Sequence, residues 1–433
     1  MIRKKISKLD LDLYKETLDN GLTIYICPMK KNTTHASIVT RFGGDYLDFV
    51  PRGKKDLITT PDGTAHFLEH KMFETEDHKD PMVLFSNNGA SSNAYTSSNI
   101  TRYYFEGASH FYDNLEILLD CLNSAYFTKE TIEKEQGIIT QEINSSLDDP
   151  EQRLYYLDKE NLFVNHPHKY TVVGTSESIG KLTPEILYDC YNTFYHPSNM
   201  FLVITGKVEP QKAIDFVKKY YAKKEFPKPE KIIRKDYKEP AKVKSKKAEI
   251  EMDVTNKMVS RAYKIKIDKD IDKFLANMYI MIYIDILFSE ISSLYNEVHK
   301  DKNILTPINC FVERFDDFMA IHFDAEVIKG ESILEKIDKA INKKEFSKED
   351  FDLIIKNVLN STILATESVE DMSHIIVNQT LLYGDFNPNY YEIYRKLNYE
   401  KCLEFIQNTD FSNNSIGIIK GFKKSWFIKA FLL

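Results

Sequence analysis

His66, Glu69 and His70 fall within five residues of one another, as His66-x-x-Glu69-His70 inside the stretch 63–76. On a helix, residues four apart share a face, so the two imidazoles would stand one above the other with the Glu69 carboxylate beside them. Two imidazoles with a flanking carboxylate are what a catalytic zinc site needs. The order reverses the commoner His-Glu-x-x-His. The plain alternative is a surface helix with two unconnected histidines. A zinc reading also demands a third protein ligand from another element. Glu135 and Glu142, seven apart on a strongly helical stretch over 129–147, lie on one stripe and offer it. Glu142 is the expected ligand, and Glu135 is expected to orient a ligating imidazole from behind.

Other elements must bring these two helices together. Asn20-Gly21 between two extended runs reads as a tight hairpin turn. Residues 36–42 read as a strand ending at Gly43-Gly44. A polar loop over 48–62 then feeds the motif helix, with Asp62 or Thr64 as its expected cap. Residues 81–87 form a short helix ended by Gly89. Ser91–Thr96 and Thr101–Glu106 are strands joined by a polar turn. Helical spacing returns over 110–126 and 129–147, the latter with Ile132, Ile138, Ile139 and Ile143 expected on one side. Further helices are expected at 151–163, from Thr183-Pro184, and at 210–222, with a buried strand at 200–206. Residues 223–247, rich in Lys and Arg and containing Pro227, Pro229 and Pro240, read as a solvated linker.

After that linker the pattern returns. Phe127-Thr128-Lys129-Glu130 is echoed by Phe346-Ser347-Lys348-Glu349. Asn93-Ala94-Tyr95 and Tyr103-Tyr104-Phe105 are echoed by Asn309-Cys310-Phe311 and Ile321-His322-Phe323. A period this long points to a duplicated domain, with boundaries of 1–224 for the metal-bearing copy, 225–247 for the linker and 248–433 for the second copy. The duplication is an internal control. Glu135 falls on Ile354 and Glu142 on Ser361, and Met281–Ser293, where the histidine motif would recur, holds no His. Residues needed only for packing should recur in both copies. The polar set belongs to the first copy, which favours chemistry over an exposed helix face.

The net charge of −7 excludes nucleic acid as the main partner, because a basic stripe would be needed. Five scattered cysteines without a Cys-x-x-Cys pair read as free thiols in a reducing, cytoplasmic setting. The basic N-terminus leads into Leu-Asp-Leu-Asp-Leu-Tyr, so no signal peptide is expected, and no apolar run reaches membrane-spanning length. The apolar C-terminal octapeptide reads as a packed end.

Several stretches together resemble the pitrilysin/insulinase family of zinc peptidases, the inverzincins, leaning toward its bacterial YmfH-like and mitochondrial processing-peptidase-like branch. They are Leu18-Asp19-Asn20-Gly21-Leu22, Gly63 through Phe73, Gly89 through Thr96, the Glu135/Glu142 pair, Gly174 through Ile179 and Tyr195 through Met200, and they span nearly the whole first half. The resemblance implies an α+β chain of two homologous α/β-sandwich domains, mainly antiparallel sheets flanked by helices, forming half of a clamshell. It implies one Zn2+ per chain held by His66, His70 and Glu142, with Glu69 as general base and Glu135 behind a ligand. Ser92, Asn93, Ala94, Tyr95 and Thr96 would be the edge strand that takes the substrate as an added strand. One departure stands out: the family's substrate-clamping Arg and Tyr, seven apart, fall on His299 and Thr306. The expected activity is cleavage of short or unfolded peptides inside a two-chain chamber. The partner would be a second copy or a paralogous chain lacking the motif. The competing expectation is a non-catalytic or weakly active peptide-binding subunit of such a pair.

Overall fold

The computed structural model describes residues 1–76, 79–268 and 270–422. These form two compact units: residues 1–143, 171–236 and 359–395 in the first, and 144–170, 237–358 and those from 396 onward in the second. The expected single cuts at 224 and 247 are not where the chain divides. Residues 144–170 leave the first copy, and residues 359–395 leave the second. The C-terminal octapeptide lies outside the described residues.

The first unit is built on strands β1 (Ile2–Ile6), β2 (Leu11–Thr17), β3 (Thr23–Pro28), β4 (Thr34–Thr40), β7 (Ala90–Thr96), β8 (Thr101–Gly107) and β9 (Met200–Gly206). A small two-stranded ladder of β5 (Asp48–Phe49) and β6 (Ile58–Thr59) stands apart. The seven strands run β1-β2-β3-β9-β4-β8-β7, so β7 is an edge. The β3/β9 pair is parallel and the others antiparallel. The Asn20-Gly21 turn does join β2 to β3, with Gly21 at φ 92°, a conformation that glycine adopts without strain.

Strand alternation sorts the side chains of this sheet onto two faces. Ile24, Ile26, Ala36, Ile38, Tyr103, Phe105, Leu202 and Ile204 join one core cluster with the helices Thr64–Lys71, Phe111–Asn123, Lys129–Asp148, Pro184–Phe194 and Pro210–Tyr221. Tyr25, Cys27, Val39, Phe201 and Val203 form another with Val369, Met372, Ile376 and Val377 of the helix Val369–Tyr383. The stripe on Lys129–Asp148 is narrower than expected. Ile132, Ile139 and Ile143 are buried, while Ile138 is 47% exposed, because it sits a full 100° round the helix from Ile139.

The second unit holds β10 (Lys247–Met252), β11 (Lys257–Lys266), β12 (Asn309–Phe315), β13 (Phe318–Val327) and β14 (Asn414–Gly421), ordered β10-β14-β11-β13-β12. Only β10/β14 is parallel. This repeats the first unit's β3-β9-β4-β8-β7 strand for strand and sense for sense. The helices repeat too: the starts of Lys129–Asp148 and Lys348–Leu364 are 219 apart, and so are those of Pro150–Leu162 and Val369–Tyr383. The last pair is exchanged. Pro150–Leu162, from the first copy, packs on β11 and β14 of the second unit, and Val369–Tyr383, from the second copy, packs on β4 and β9 of the first.

The linker is less solvated than its composition suggests. Phe226 and Ile232 pack against the first core, and the Val50 N–H donates to Ile233 O at 3.0 Å. In the second unit, Val243 is buried and Glu239 pairs with the fully buried Lys264, whose ammonium also donates to Leu162 O at 3.0 Å. Apolar residues spaced between the lysines, and one carboxylate facing a buried cation, tie this segment down.

A buried polar network crosses the second sheet. His322 sits between Asp158 (Nδ1 to Oδ2, 3.5 Å) and Glu313 (Nε2 to Oε2, 3.2 Å). His168 faces the same Glu313 oxygen at 3.5 Å, Tyr155 donates to the other at 2.7 Å, and Ser260 donates to Asp158 at 2.6 Å. Burial alone would lower the His322 pKa, but Asp158 and Glu313 outweigh it and raise it to about 9. For Glu313, burial is outweighed by His168 and His322, which hold its carboxyl well below the usual range.

Candidate metal centre

The motif helix spans Thr64–Lys71, shorter than the 63–76 stretch, and ends in a turn. Neither Asp62 nor Thr64 caps it through a side chain. Its N-cap is Gly63 at φ 86°, packed so tightly on Gly174 and Val173 that a Cβ would lie 2.6 Å from Val173 O. Phe67 and Leu68 are fully buried in the first core and fix the helix roll. That roll turns His66, Glu69 and His70 toward the helix Lys129–Asp148, which Ile132, Ile139 and Ile143 anchor to the same core.

His66 Nε2 lies 3.5 Å from one Glu142 oxygen, and His70 Nε2 lies 3.6 Å from the other. His70 Nδ1 is 2.9 Å from Glu135. The two rings meet edge to face at 4.7 Å between centroids. One donor atom from each of His66, His70 and Glu142 lies within 4.8 Å of the others, and no other such trio occurs among the described residues. Donors bound tetrahedrally to zinc at about 2.05 Å stand roughly 3.4 Å apart, so these separations match a zinc ligand set. The bond to Glu135 fixes the His70 ring and leaves its Nε2 facing Glu142, the orienting arrangement typical of metal-bound imidazoles.

Glu69 is buried with His66 beside the donors. Burial raises its pKa, partly offset by a 2.5 Å hydrogen bond from Thr96 and by the two histidines. For His70, burial is outweighed by Glu135, with Glu69 and Glu142 adding to it, and the net shift is upward. Glu142 is lowered, chiefly by its contact with His66. The second copy shows what packing alone requires. The Lys273–Phe288 helix is nearly all apolar and holds no His, and Ile354 is buried where Glu135 would be.

Of the expected substrate strand, Ser92 to Thr96 lie on β7, whose outer edge pairs with no other strand among the described residues. Ala94 packs with the first core and Tyr95 with the opposite cluster, so Thr96 shares the face of Ala94 and of the motif helix. Asn93 is exposed and turns its carboxamide oxygen onto the Ala94 N–H at 2.8 Å. In the second unit, His299 is exposed and stacks on Tyr295. Thr306 accepts the Glu326 N–H at 2.9 Å, and both residues line a cavity of about 210 Å³ with Phe288 and Val298. The tie between Thr96 and Glu69 was not read from the sequence. Strand alternation from Ala94 was the available signal. Buried Lys71, paired with Glu74, was missed as well; nothing in its local pattern marks it.

Residues 59–176 match the insulinase (peptidase M16) family, and residues 181–358 match the peptidase M16 inactive domain. The uncharacterized zinc protease YmfH of Bacillus subtilis (strain 168) is 41% identical over 298 residues, covering 68% of this chain and 69% of that protein. The chain belongs to the insulinase (M16) family. Within it, the mitochondrial-processing peptidase subunit beta of Caenorhabditis elegans is 32% identical over 178 residues, covering 40% of this chain and 39% of that one. The crystal structure of an M16-like peptidase from Alicyclobacillus acidocaldarius superposes with a TM-score of 0.90 at 26% identity, covering 96% of this chain and all of that one. The M16 inactive-domain match begins within the first copy and runs through much of the second.

Proposed function

We propose that the chain is a zinc endopeptidase acting on short or unfolded peptides, with His66, His70 and Glu142 holding one Zn2+. The observation that carries this is the convergence of His66 Nε2, His70 Nε2 and the Glu142 carboxylate beside buried Glu69. Zinc, when bound, supplies a water of pKa about 7 and polarises a carbonyl. The chain's own residues do the rest. A peptide adds to the open edge of β7 and takes its register from Ser92 to Thr96. Glu69, its basicity raised by burial, takes the proton of the attacking water and passes it to the leaving amine. Glu135 holds the His70 ring.

The family relatives named as zinc proteases support this reading, and one relative named as a subunit supports a paired assembly. We propose that a second chain, a copy or a motif-lacking paralogue, completes the chamber. His299 and Thr306 at the clamp positions favour a partner that supplies the substrate grip. They also favour the second reading, in which this chain binds peptide and hydrolyses it weakly or not at all. The five cysteines are unpaired, which supports a reducing, cytoplasmic setting. Metal analysis of the purified chain, with peptide cleavage assayed with and without a paralogous chain, tests the proposal. Near one zinc per chain with cleavage is expected. A chain that takes up no zinc at pH 7.5 would sink the enzyme reading, and zinc without cleavage in either arm would select the second.

A further inference from the structure

Glu69 is aimed from the substrate strand. Thr96, the last residue of β7, donates its Oγ1–H to Glu69 Oε2 at 2.5 Å. Its Oγ1 also lies 3.2 Å from Oγ1 of Thr101, its direct partner across the β7/β8 turn. Thr101 is fully buried and donates to Phe42 O at 2.9 Å, and Phe42 is itself buried. The carboxylate is thus tied through the Thr96 hydroxyl to the end of β7, and Thr101, whose own hydrogen goes to Phe42 O, packs its oxygen against that hydroxyl. Its charged neighbours are His66 and His70 on its own helix and Glu142 on the facing one. Thr96 is its side-chain hydrogen-bond partner, and it lies on the strand whose edge stands open for a peptide.

We propose that Thr96 is a positioning residue. It holds the Glu69 carboxylate in the orientation that serves hydrolysis. The inference rests on the endopeptidase reading. A valine has the same shape and offers no such bond. It would leave a buried carboxylate oxygen without its partner and free to rotate.

Thr96→Val and Thr96→Ser test this, each made in the wild-type chain and in the Glu69→Gln chain. Zinc content is measured in all of them. Affinity for a fluorescent peptide is measured in the Glu69→Gln pair, where turnover does not interfere. Thr96→Val is expected to lower kcat by roughly 10- to 100-fold with KM within twofold, on the scale of losing one oriented hydrogen bond to a charged group. Zinc content and peptide affinity stay unchanged, and Thr96→Ser returns kcat to within about threefold of wild type. Wild-type kcat in Thr96→Val overturns the proposal. So does a loss that Ser shares and that comes with lost zinc or lost peptide affinity, because that is a structural role. A wild-type chain that binds zinc and cleaves nothing overturns the endopeptidase reading, and this inference with it.

Discussion

Replacing His322 with Gln should unfasten the second unit in a pH-dependent way. The imidazole stands between Asp158 and Glu313 with its pKa raised from 6.5 to about 9. A folded-state pKa above the unfolded one gives stability that is fully present below pH 6.5 and is lost as pH rises through 9. The shift is worth about 3 kcal/mol at about 1.4 kcal/mol per unit. Removing the cation leaves the 2%-exposed Asp158 without its positive partner, so His322→Gln should cost on the order of 3 kcal/mol at pH 6.5. Glu313 acts in the opposite sense. Its depressed pKa gives stability present above about pH 4.5 that fades in acid. Two units make a single unfolding free energy ill-defined, so the assay should be local. Met319 on β13 is fully buried, and the urea concentration at which peroxide oxidises it reports opening of that sheet. The gap in midpoint between wild type and His322→Gln should be large at pH 6.5 and nearly closed at pH 10. A gap that stays constant across that range would mean the imidazole is neutral and acts by packing, and the argument would be wrong.

Glu69→Gln should keep zinc within experimental error of wild type and lose peptidase activity by about 100-fold or more, since the ligands survive and the base does not; retained turnover would remove Glu69 from its role. Glu142→Gln should lower zinc occupancy sharply at sub-micromolar free zinc. Glu135→Gln should weaken it less, by about 10- to 100-fold in affinity, because it acts through His70. Full occupancy in both would take Glu142 out of the ligand set. Gly63→Ala should cost about 1–3 kcal/mol, combining a left-handed backbone with the 2.6 Å approach to Val173 O. It should also weaken zinc binding by shifting the start of the motif helix, and an unchanged melting temperature and zinc affinity would show that the turn relaxes freely.

Local chemistry made the cluster of His66, His70 and Glu142 legible. Two histidines at helical spacing and two glutamates seven apart are one-dimensional patterns, and the duplication showed which of them packing did not need. The edge position of β7 came from resemblance. The structure supplies its cause, since among the described residues β7 pairs with β8 alone. What stayed hidden depends on contacts far apart in sequence. Asp158, Glu313 and His322 look like ordinary surface charges until the sheet stacks them. The Thr96 contact with Glu69 needs both a strand register and a helix roll. Lys264 and Glu239 turn a basic, proline-bearing stretch into a fastened one, and composition could not reveal that because a single carboxylate decides it. Ile138 failed for a simpler reason: an apolar residue next to a stripe is not on it.

The exchanged helices set an order of events on the ribosome. The first sheet is complete in sequence once β9 ends at Gly206, yet the helix that covers Tyr25, Val39, Phe201 and Val203 begins at Val369. At about 5–20 residues per second, that apolar face waits on the order of 10–30 s for its cover. The nascent chain therefore passes through a state with a bare hydrophobic sheet, and it should recruit a chaperone in that interval. Chains stalled near residue 300 should cross-link to trigger-type chaperones through that face, and chains stalled well beyond residue 383 should not. Equal cross-linking at both points would mean that something other than Val369–Tyr383 protects the sheet.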